Sequence, residues 1–392
     1  MRFLEYRYRP IHAICEKVFE ALAPLIPTVA GRPLAGPPRK VLVLKFGGMG
    51  EAILARSIVE HLRQRNPFMC FDFLVEDRTL EAMTCGGENS AFMYHSGADG
   101  LGRALAILRI IRRRHYDAIL DFEQHSLLTA AFARATSIPV RVGFVPPGPG
   151  SRGELLTHPI ELRENESMWS AMVRLGRVLD PQLPERMMTV PLPCSADTES
   201  WIEEWWRARV NDGVRGPVVA LHLGVGPSAQ YRRWPLERWV ELATRLSSLQ
   251  KNLAVVLTGG RSEQSLMDDF SYHFPGKTIR ASDLGSIERS ASLLRRCDLL
   301  VSCDTGIMHL GASMGTPTVG LFGPNTPACW GPVGPRTTYV YATRQPCTPC
   351  INSYRRHIPG KCTALRESAC MWDIGVDDVL EATHAVVRDA WF

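Results

Sequence analysis

Four segments of this sequence combine glycines with ionisable side chains, each directly after an apolar run. They are residues 45–51, 222–235, 257–263 and 302–332. Glycine lets a backbone approach a ligand closely, and the free N–H groups at the start of a helix attract anions. The four segments therefore point to a phosphorylated ligand, with carboxylates nearby that could accept a proton.

The first segment reads KFGGMGE, so that Gly47, Gly48 and Gly50 follow a strand and Glu51 falls in the first turn of the next helix. A carboxylate at that position complements the helix dipole, and it is also where a general base could act on a ligand. Both interpretations of Glu51 stay open at this point. The glycine spacing differs from the dinucleotide fingerprint GxGxxG, which argues against a nicotinamide oxidoreductase.

The second and third segments could hold the two polar parts of a nucleotide. Gly224 precedes the paired arginines Arg232 and Arg233, which could clamp a diphosphate. In the third segment Glu263 follows Gly259, and an acid placed there can accept both hydroxyls of a ribose. A solvated glutamate at a helix start is the alternative for Glu263.

The fourth segment carries the strongest signal. Asp304, Thr305 and Gly306 lie where a strand ends and a helix begins, and His309 follows one turn into that helix. The N–H groups of Thr305 and Gly306 could hold a phosphate oxygen. Asp304 could cap the helix or bind a sugar hydroxyl.

These segments need rigid elements to position them, and the hydrophobic pattern supplies short apolar strands that alternate with helices. The predicted strands are residues 40–46, 71–75, 118–122, 140–144, 218–223, 253–258, 299–303 and 318–322. The predicted fold class is therefore α/β, with two doubly wound Rossmann-like domains that face an interdomain cleft. The expected ranges are an amphipathic extension and linker over 1–38, a first domain over 39–190 and a second over 191–392.

Composition narrows the class of protein. Among 392 residues, 45 are Lys or Arg and 40 are Asp or Glu, a net charge of +5 that is too small for a dedicated nucleic-acid binder. We find neither an apolar run long enough to span a membrane nor a secretory signal, and expect a cytoplasmic protein. The amphipathic segment 11–22 could pack on the protein, or contact a membrane surface or a second copy.

Eleven cysteines are unusual for such a protein, and four of them form a cluster within the loop 347–370. These are Cys347, Cys350, Cys362 and Cys370. A Cys-x-x-Cys pair followed by two further cysteines is typical of the start of a structural zinc site. Disulfides and reduced packing cysteines are the alternatives.

Taken in order, the motifs resemble those of glycosyltransferase family 9, the lipopolysaccharide heptosyltransferases. The resemblance rests on KFGGMGE, YDAILDF with RVGF, HLGVG with RRWPLERWVELA, LTGGRSE, DTGIMHL, GTPTVGLFGPNTP and the CM pair at 370–371. It implies the two-domain GT-B fold. It also implies inverting transfer of a heptose or related sugar from an ADP-sugar to a lipopolysaccharide core or similar glycan, with no cofactor required for catalysis. A related branch that glycosylates autotransporters carries a cysteine-bound iron, so the resemblance adds iron to zinc as a candidate structural ion at the four clustered cysteines.

The resemblance also implies roles for individual residues. Glu51 would be the general base, in an acceptor-side loop with Gly47, Gly48 and Gly50. The expected donor-binding residues are Gly224, Arg232, Arg233, Gly259, Glu263, Leu284, Gly285, Asp304, Thr305, Gly306 and His309. Leu284 and Gly285 would line the adenine pocket.

This chain departs from the family where it carries Glu51, since the family usually has Asp there, after a Ser-Ser or similar pair in place of Gly47-Gly48. The longer side chain points to a different acceptor geometry. The alternatives are another nucleotide sugar, a protein acceptor, or a catalytically weakened binding scaffold. Basic residues 109, 112–114 and His115 could form a solvated helix end, or they could contact acceptor phosphates or the cytoplasmic face of the inner membrane.

Overall fold

The computed structural model describes residues 36–85, 91–93, 101–148, 150–164, 166–210, 216–355 and 357–387. The expected helix over 11–22, like nearly all of the extension 1–38, lies outside them. The chain divides into two compact units, Met1–Met187 and Met188–Phe392. The sequence had placed this boundary after residue 190.

Each unit is built on a parallel sheet of six strands, counted over the described residues. The first sheet contains β1 (Lys40–Lys45), β2 (Cys70–Val75), β3 (Ala91–Met93), β4 (Ala118–Asp121), β5 (Val140–Val145) and β6 (His158–Glu161). The second contains β7 (Val218–His222), β8 (Ala254–Thr258), β9 (Thr278–Ala281), β10 (Leu299–Cys303), β11 (Thr318–Phe322) and β12 (Thr337–Tyr341). The strand orders are β3-β2-β1-β4-β5-β6 and β12-β11-β10-β7-β8-β9. Counted within its unit, each sheet has the Rossmann order 3-2-1-4-5-6.

Helices connect these strands. Those of the first unit are α1 (Met49–Arg65), α2 (Asp77–Thr84), α3 (Leu101–Arg113), α4 (Leu127–Ala135) and α5 (Met168–Arg177). Those of the second are α6 (Ala196–Arg209), α7 (Leu236–Leu249), α8 (Gln264–His273), α9 (Ile287–Arg295), α10 (Gly306–Ser313), α11 (Pro327–Trp330), α12 (Ala369–Trp372) and α13 (Val376–Val387). None of the helices in the described ranges has both the length and the apolar character needed to cross a membrane.

Serine caps define several helix starts. Ser126, Ser167, Ser195 and Ser286 each accept a hydrogen bond from the backbone N–H three residues further on. Such a bond satisfies one of the N–H groups that the first turn of a helix leaves unpaired. The starts of α4, α5, α6 and α9 are therefore encoded locally.

The eight predicted strands are all present, and the structure adds four that the sequence analysis missed. The four are β3, β6, β9 and β12, the edge strands of the two sheets. The inner strands β7, β8, β10 and β11 are buried along their whole length, whereas β6 alternates between half-buried and exposed residues. An edge strand covers less apolar surface, so it lacks the continuous apolar run that identifies an inner strand.

The strand order reverses between β1 and β4 in the first sheet and between β7 and β10 in the second. In open α/β sheets, ligands bind outside the carboxyl ends of the strands at this switch point. Three of the four glycine segments found in the sequence follow β1, β7 and β10. The topology thus places candidate chemistry at the switch point of each sheet.

Candidate active site

At the switch point of the first sheet, the loop after β1 shapes the surroundings of Glu51. Gly48 has a φ of 69°, in the left-handed region that favours glycine. A Cβ atom added at Gly48 would lie 2.9 Å from Cδ of Glu51. Gly50 is buried in the first turn of α1, next to Glu51. Glycine at position 48 therefore leaves the space that the Glu51 carboxylate occupies.

Lys45, the last residue of β1, is fully buried and lies between two carboxylates. Its Nζ is 2.7 Å from Oε2 of Glu51 and 2.5 Å from Oε1 of Glu123, which follows the end of β4. Oε1 of Glu123 also accepts hydrogen bonds from the backbone N–H groups of Phe46 and Gly47, at 2.8 and 3.1 Å. The Glu51 side chain is 27% exposed and that of Glu123 15%. Glu51 is thus the carboxylate more open to a ligand.

The two carboxylates differ in their affinity for a proton. Burial raises the pKa of Glu51 above its usual value; Lys45 opposes this effect and the charge of Glu123 adds to it. Burial acts the same way on Glu123, but Lys45 and the N–H groups of Phe46 and Gly47 outweigh it, so the Glu123 pKa is lowered. Glu123 therefore stays ionised, and Glu51 has the higher affinity for a proton of the two carboxylates.

In the second sheet, Glu263 lies against two of the predicted glycines. A Cβ atom added at Gly224, after β7, would lie 1.5 Å from Oε1 of Glu263, and one added at Gly259, after β8, would lie 2.8 Å from Oε2. Oε2 accepts a hydrogen bond from the backbone N–H of Gly260 at 2.7 Å. The structure therefore brings together Gly224, Gly259 and Glu263, which the sequence places on two separate segments.

Arg232 and Asp304 form the centre of the switch point between β7 and β10. Nη1 of Arg232 lies 3.2 Å from Oδ2 of Asp304, which also accepts a hydrogen bond from Nδ2 of Asn325 at 2.8 Å. Asp304 is buried. Both partners on Oδ2 hold Asp304 in the loop. The N-cap residue of α10 is Thr305, so Asp304 is not the cap, which was one of the two roles left open for it.

The start of α10 offers first-turn N–H groups, because its N-cap residue forms no side-chain capping bond with the described residues. Thr305 precedes the helix in an extended conformation and makes no capping bond; its hydroxyl lies 3.0 Å from Oγ of Ser302. His309, one turn further along, is buried, and its Nδ1 has no hydrogen-bond partner within the described part of the chain. Burial lowers the pKa of His309 to about 4, against the opposing charge of Asp304. The imidazole is therefore neutral at physiological pH.

The remaining predicted donor residues lie on other parts of the second unit. The guanidinium of Arg233 hydrogen-bonds to Oε1 of Gln230. Leu284 is buried in the loop between β9 and α9, and Gly285 has a φ of 75°. In the described residues, the buried Nε atoms of Arg232 and Arg233 have no hydrogen-bond partner. The two arginines thus retain donors for an anion.

The four clustered cysteines line one cavity. All four are free, and the described residues place no three of their sulfur atoms within 4.8 Å of one another. Burial, together with the neighbouring thiols, raises the pKa of Cys370 to about 12, so this side chain is a neutral thiol at physiological pH.

The cysteine loop contacts the segments that carry Arg232 and Asn325. The hydroxyl of Tyr231, the residue before Arg232, donates to the carbonyl of Pro359 at 2.8 Å. The N–H of Ile351 donates to the carbonyl of Pro324 at 2.9 Å, immediately before Asn325. The loop therefore supports the backbone that carries Arg232 and Asn325.

Three residues of these sites were missed by the sequence analysis. Lys45 was taken only as part of a glycine motif, and Glu123 and Asn325 were not singled out. Glu123 follows a buried strand by two residues, which is a usable signal because residues at the carboxyl ends of parallel strands share one edge. Nothing in the sequence pairs it with Lys45, which lies 78 residues earlier.

The comparisons with known proteins agree with this architecture. The sequence model of glycosyltransferase family 9 (heptosyltransferase) matches residues 104–357, more than half of the chain. The chain is 22% identical over 382 residues to lipopolysaccharide heptosyltransferase 2 of Salmonella typhimurium, covering 89% of this chain and 99% of that protein.

Two solved structures have a similar fold. One is the glycosyl transferase family 9 from Veillonella parvula, with a TM-score of 0.69 at 18% identity, covering 89% of this chain and 97% of that one. The other is Escherichia coli ADP-heptose lps heptosyltransferase II, with a TM-score of 0.67 at 19% identity, covering 89% and 98%. These similarities show that the chain has the GT-B fold predicted from its sequence.

Proposed function

This chain belongs to glycosyltransferase family 9 (heptosyltransferase), and from that premise we propose that it transfers a heptose, or a related sugar, from an ADP-sugar to a lipopolysaccharide core or similar glycan. Membership makes the protein a glycosyltransferase. The relatives named above supply the donor and acceptor: one is a lipopolysaccharide heptosyltransferase and another is named for ADP-heptose.

The observation that carries the proposal is a contrast between the two switch points. The first has two carboxylates for one ammonium group, and the more exposed carboxylate, Glu51, has a raised pKa. Within the described residues, the second has two buried arginine Nε–H groups without partners and a helix start whose N-cap residue makes no capping bond. The first is suited to accept a proton, and the second is suited to bind an anion.

In the proposed reaction, Glu51 accepts the proton of an acceptor hydroxyl. The oxygen attacks the anomeric carbon of the donor sugar, forming the new glycosidic bond as the bond to the diphosphate breaks. A single displacement of this kind inverts the configuration at that carbon. The electron pair of the broken bond leaves with ADP, and the proton stays on Glu51 until solvent removes it.

Charge develops on the departing diphosphate, and the proposal assigns its neutralisation to Arg232, Arg233 and the N–H groups at the start of α10. Preorganised donors of this type stabilise a leaving group without a metal or a cofactor. Glu263 would accept the ribose hydroxyls, with Gly224 and Gly259 leaving room for its carboxylate. Leu284 and Gly285 would contact the adenine.

A donor panel followed by thermal shift tests the proposal, since a ligand that binds only the folded state raises the unfolding midpoint. ADP-heptose and ADP should raise it, with ADP-glucose as a test of sugar choice. A shift with UDP-sugars and none with ADP-sugars would overturn the donor assignment. Production of ADP from ADP-heptose only when a core glycan is added would support the acceptor class.

Peripheral contact with an anionic membrane is a further part of the proposal, carried by α3. The helix contains no acidic residue, and its exposed side chains include Leu105 and Ile110, at 40% and 45% exposure. Its exposed basic residues are Arg103, Arg109, Arg112 and Arg113. Arg114 differs, because it pairs with Asp72 at 3.1 Å. Apolar and basic side chains together are typical of a helix that lies on a membrane surface.

Vesicle flotation tests this contact. Binding to vesicles with anionic lipid at low salt, lost at high salt or on Arg109→Glu with Arg113→Glu, is expected. Absence of binding at every salt concentration would remove the membrane from the proposal.

For the cysteine cavity we propose a structural role, with zinc or iron as the candidate ion. Four thiols on one cavity fit the donor set that such ions prefer. Because no three of the four sulfur atoms lie within 4.8 Å of one another in the described residues, the loop would have to move them closer together to bind an ion. Elemental analysis of protein purified without chelator decides this: less than a tenth of an equivalent, as an order-of-magnitude threshold, would end the metal hypothesis.

A further inference from the structure

We propose that Glu123 is a positioning residue that controls how strongly Glu51 binds a proton, acting through the buried Lys45 that the two carboxylates share. This inference rests on the proposed role of Glu51 as the base. Glu123 itself would not touch the acceptor or the donor.

The two carboxylates that contact Lys45 differ in how many hydrogen bonds hold them. Glu123 is bound by Nζ of Lys45 at 2.5 Å and by the N–H groups of Phe46 and Gly47. Among the described residues, the one hydrogen bond recorded for the Glu51 carboxylate is that from Lys45, at 2.7 Å. Glu51 is therefore the partner that can change its charge with less disturbance to the loop.

A second buried ion pair fixes the backbone of Glu123. Nη2 of Arg152 lies 2.6 Å from Oδ2 of Asp121 and donates to the carbonyl of Glu123, also at 2.6 Å. Oδ1 of Asp121 accepts a hydrogen bond from the N–H of Glu123 at 3.0 Å. The side chains of Arg152 and Asp121 are 5% and 0% exposed. Glu123 is thus held at both its backbone and its carboxylate, as a positioning role requires.

The consequence appears when Glu51 takes up a proton. A fully buried ammonium that loses its only carboxylate partner carries a large desolvation penalty. With Glu123 in place, Lys45 keeps an ion pair after Glu51 becomes neutral. Glu123 therefore favours the protonated form of Glu51, both by retaining Lys45 and by its own negative charge.

The other charged groups near Glu51 do not supply this effect. Arg78, on α2, is near enough to favour the ionised form of Glu51. Its guanidinium pairs with Glu76 at 2.8 Å and donates to the carbonyl of Phe46 at 3.2 Å. Arg78 thus acts on Glu51 in the direction opposite to that of Glu123.

The variant Glu123→Gln tests the inference, because it keeps an acceptor oxygen for the two backbone N–H groups and removes the charge. We expect the acid limb of the pH profile of kcat/KM to move down by roughly one unit. We expect the plateau to fall about 3–10-fold, since a weaker base removes the acceptor proton less readily. The matched control is Asp180→Asn, which removes a carboxylate paired with Arg65 at 2.7 Å in the same unit and should leave the profile unchanged.

A second readout does not depend on turnover. Carboxyl carbon-13 NMR of glutamate-labelled protein, with the Glu51 signal identified by its loss in Glu51→Gln, reports the titration of Glu51 directly. A Glu51 titration that moves to lower pH in Glu123→Gln supports the inference, even if the chosen donor and acceptor give no transfer and the proposed function fails. A titration at the wild-type position overturns it, whatever the transfer rate.

If Glu123→Gln does not fold, Glu123→Asp decides. It keeps the charge but draws the carboxylate back from Lys45 by one methylene. A smaller shift of the Glu51 titration in the same direction is expected, and an unshifted titration would contradict the inference.

Discussion

The two units share a strand order but differ in what stands at their switch points. At the first, Lys45 is outnumbered by Glu51 and Glu123. At the second, Arg232 is paired with Asp304 and still keeps a buried N–H without a partner in the described residues. The same strand order thus carries an excess of carboxylates over cations in the first unit and N–H donors without partners in the described part of the second unit. The chemical character of each unit therefore depends on a few residues at the ends of its central strands.

The substitution Glu51→Gln tests the proposed proton acceptor of the first unit, and we expect it to have the largest effect. The amide cannot accept the proton, so kcat/KM for sugar transfer should fall about 10²–10⁴-fold, the usual contribution of a general base. Coupled detection of ADP release measures it. Glu51→Asp serves as the control, because it keeps the carboxylate and should recover part of the rate. Wild-type turnover by Glu51→Gln would remove Glu51 from the mechanism.

The substitution Arg232→Met tests the proposed binding of the donor diphosphate in the second unit. It removes the cation but keeps much of the side-chain volume, and it leaves Asp304 with Asn325 as its remaining partner. We expect affinity for ADP to fall about 10–100-fold, as for loss of a charge-assisted hydrogen bond. Calorimetric titration with ADP measures this. Unchanged affinity would show that the diphosphate is bound elsewhere.

The substitution Gly224→Ala tests whether Glu263 needs the glycine cradle, the space that Gly224 and Gly259 leave for its carboxylate. The new Cβ would occupy the place of Oε1 of Glu263, and because that atom ends a flexible side chain, the carboxylate should move while the fold survives. We expect the KM for donor to rise about tenfold, equivalent to roughly 1.4 kcal/mol. Gly226→Ala is the matched control, since an added Cβ there meets no atom of the described residues within 4 Å. An equal effect of both substitutions would contradict the cradle.

The smallest effect concerns pH. Burial raises the pKa of Glu51, so the proton acceptor is lost as the pH falls through a value above the usual carboxylate range near 4.3. The acid limb of kcat/KM should therefore lie above that value, and His309, with a pKa of about 4, should not contribute to it. A limb at or below the usual carboxylate pKa would mean that Lys45 dominates over burial.

The inner part of the fold was readable from the sequence, and its edges were not. The inner strands are continuous apolar runs because both faces of the sheet are covered. The edge strands β3, β6, β9 and β12 lack that run, since part of each faces solvent. The seven-residue pattern LTGGRSE identified Glu263, but only the structure showed that its carboxylate lies against Gly224, more than thirty residues earlier.

The candidate sites divide in the same way. Glu51 follows a glycine-rich turn, and Asp304 and the start of α10 directly follow a buried apolar strand; both are local signals. Glu123 and Asn325 hydrogen-bond to residues that lie 78 and 21 positions away in the chain, Lys45 and Asp304. Pairings of this kind arise from the order of the strands in the sheet, which the sequence does not display.

The central claim is a division of labour, with proton acceptance in the first unit and donor binding in the second. Its most direct test is a calorimetric titration of ADP into Glu51→Gln, alongside a transfer assay on the same preparation. We predict ADP affinity within about twofold of wild type while transfer is lost, because the proposed mechanism gives Glu51 no part in donor binding. Loss of ADP affinity in parallel with transfer, or retention of transfer, would contradict the account.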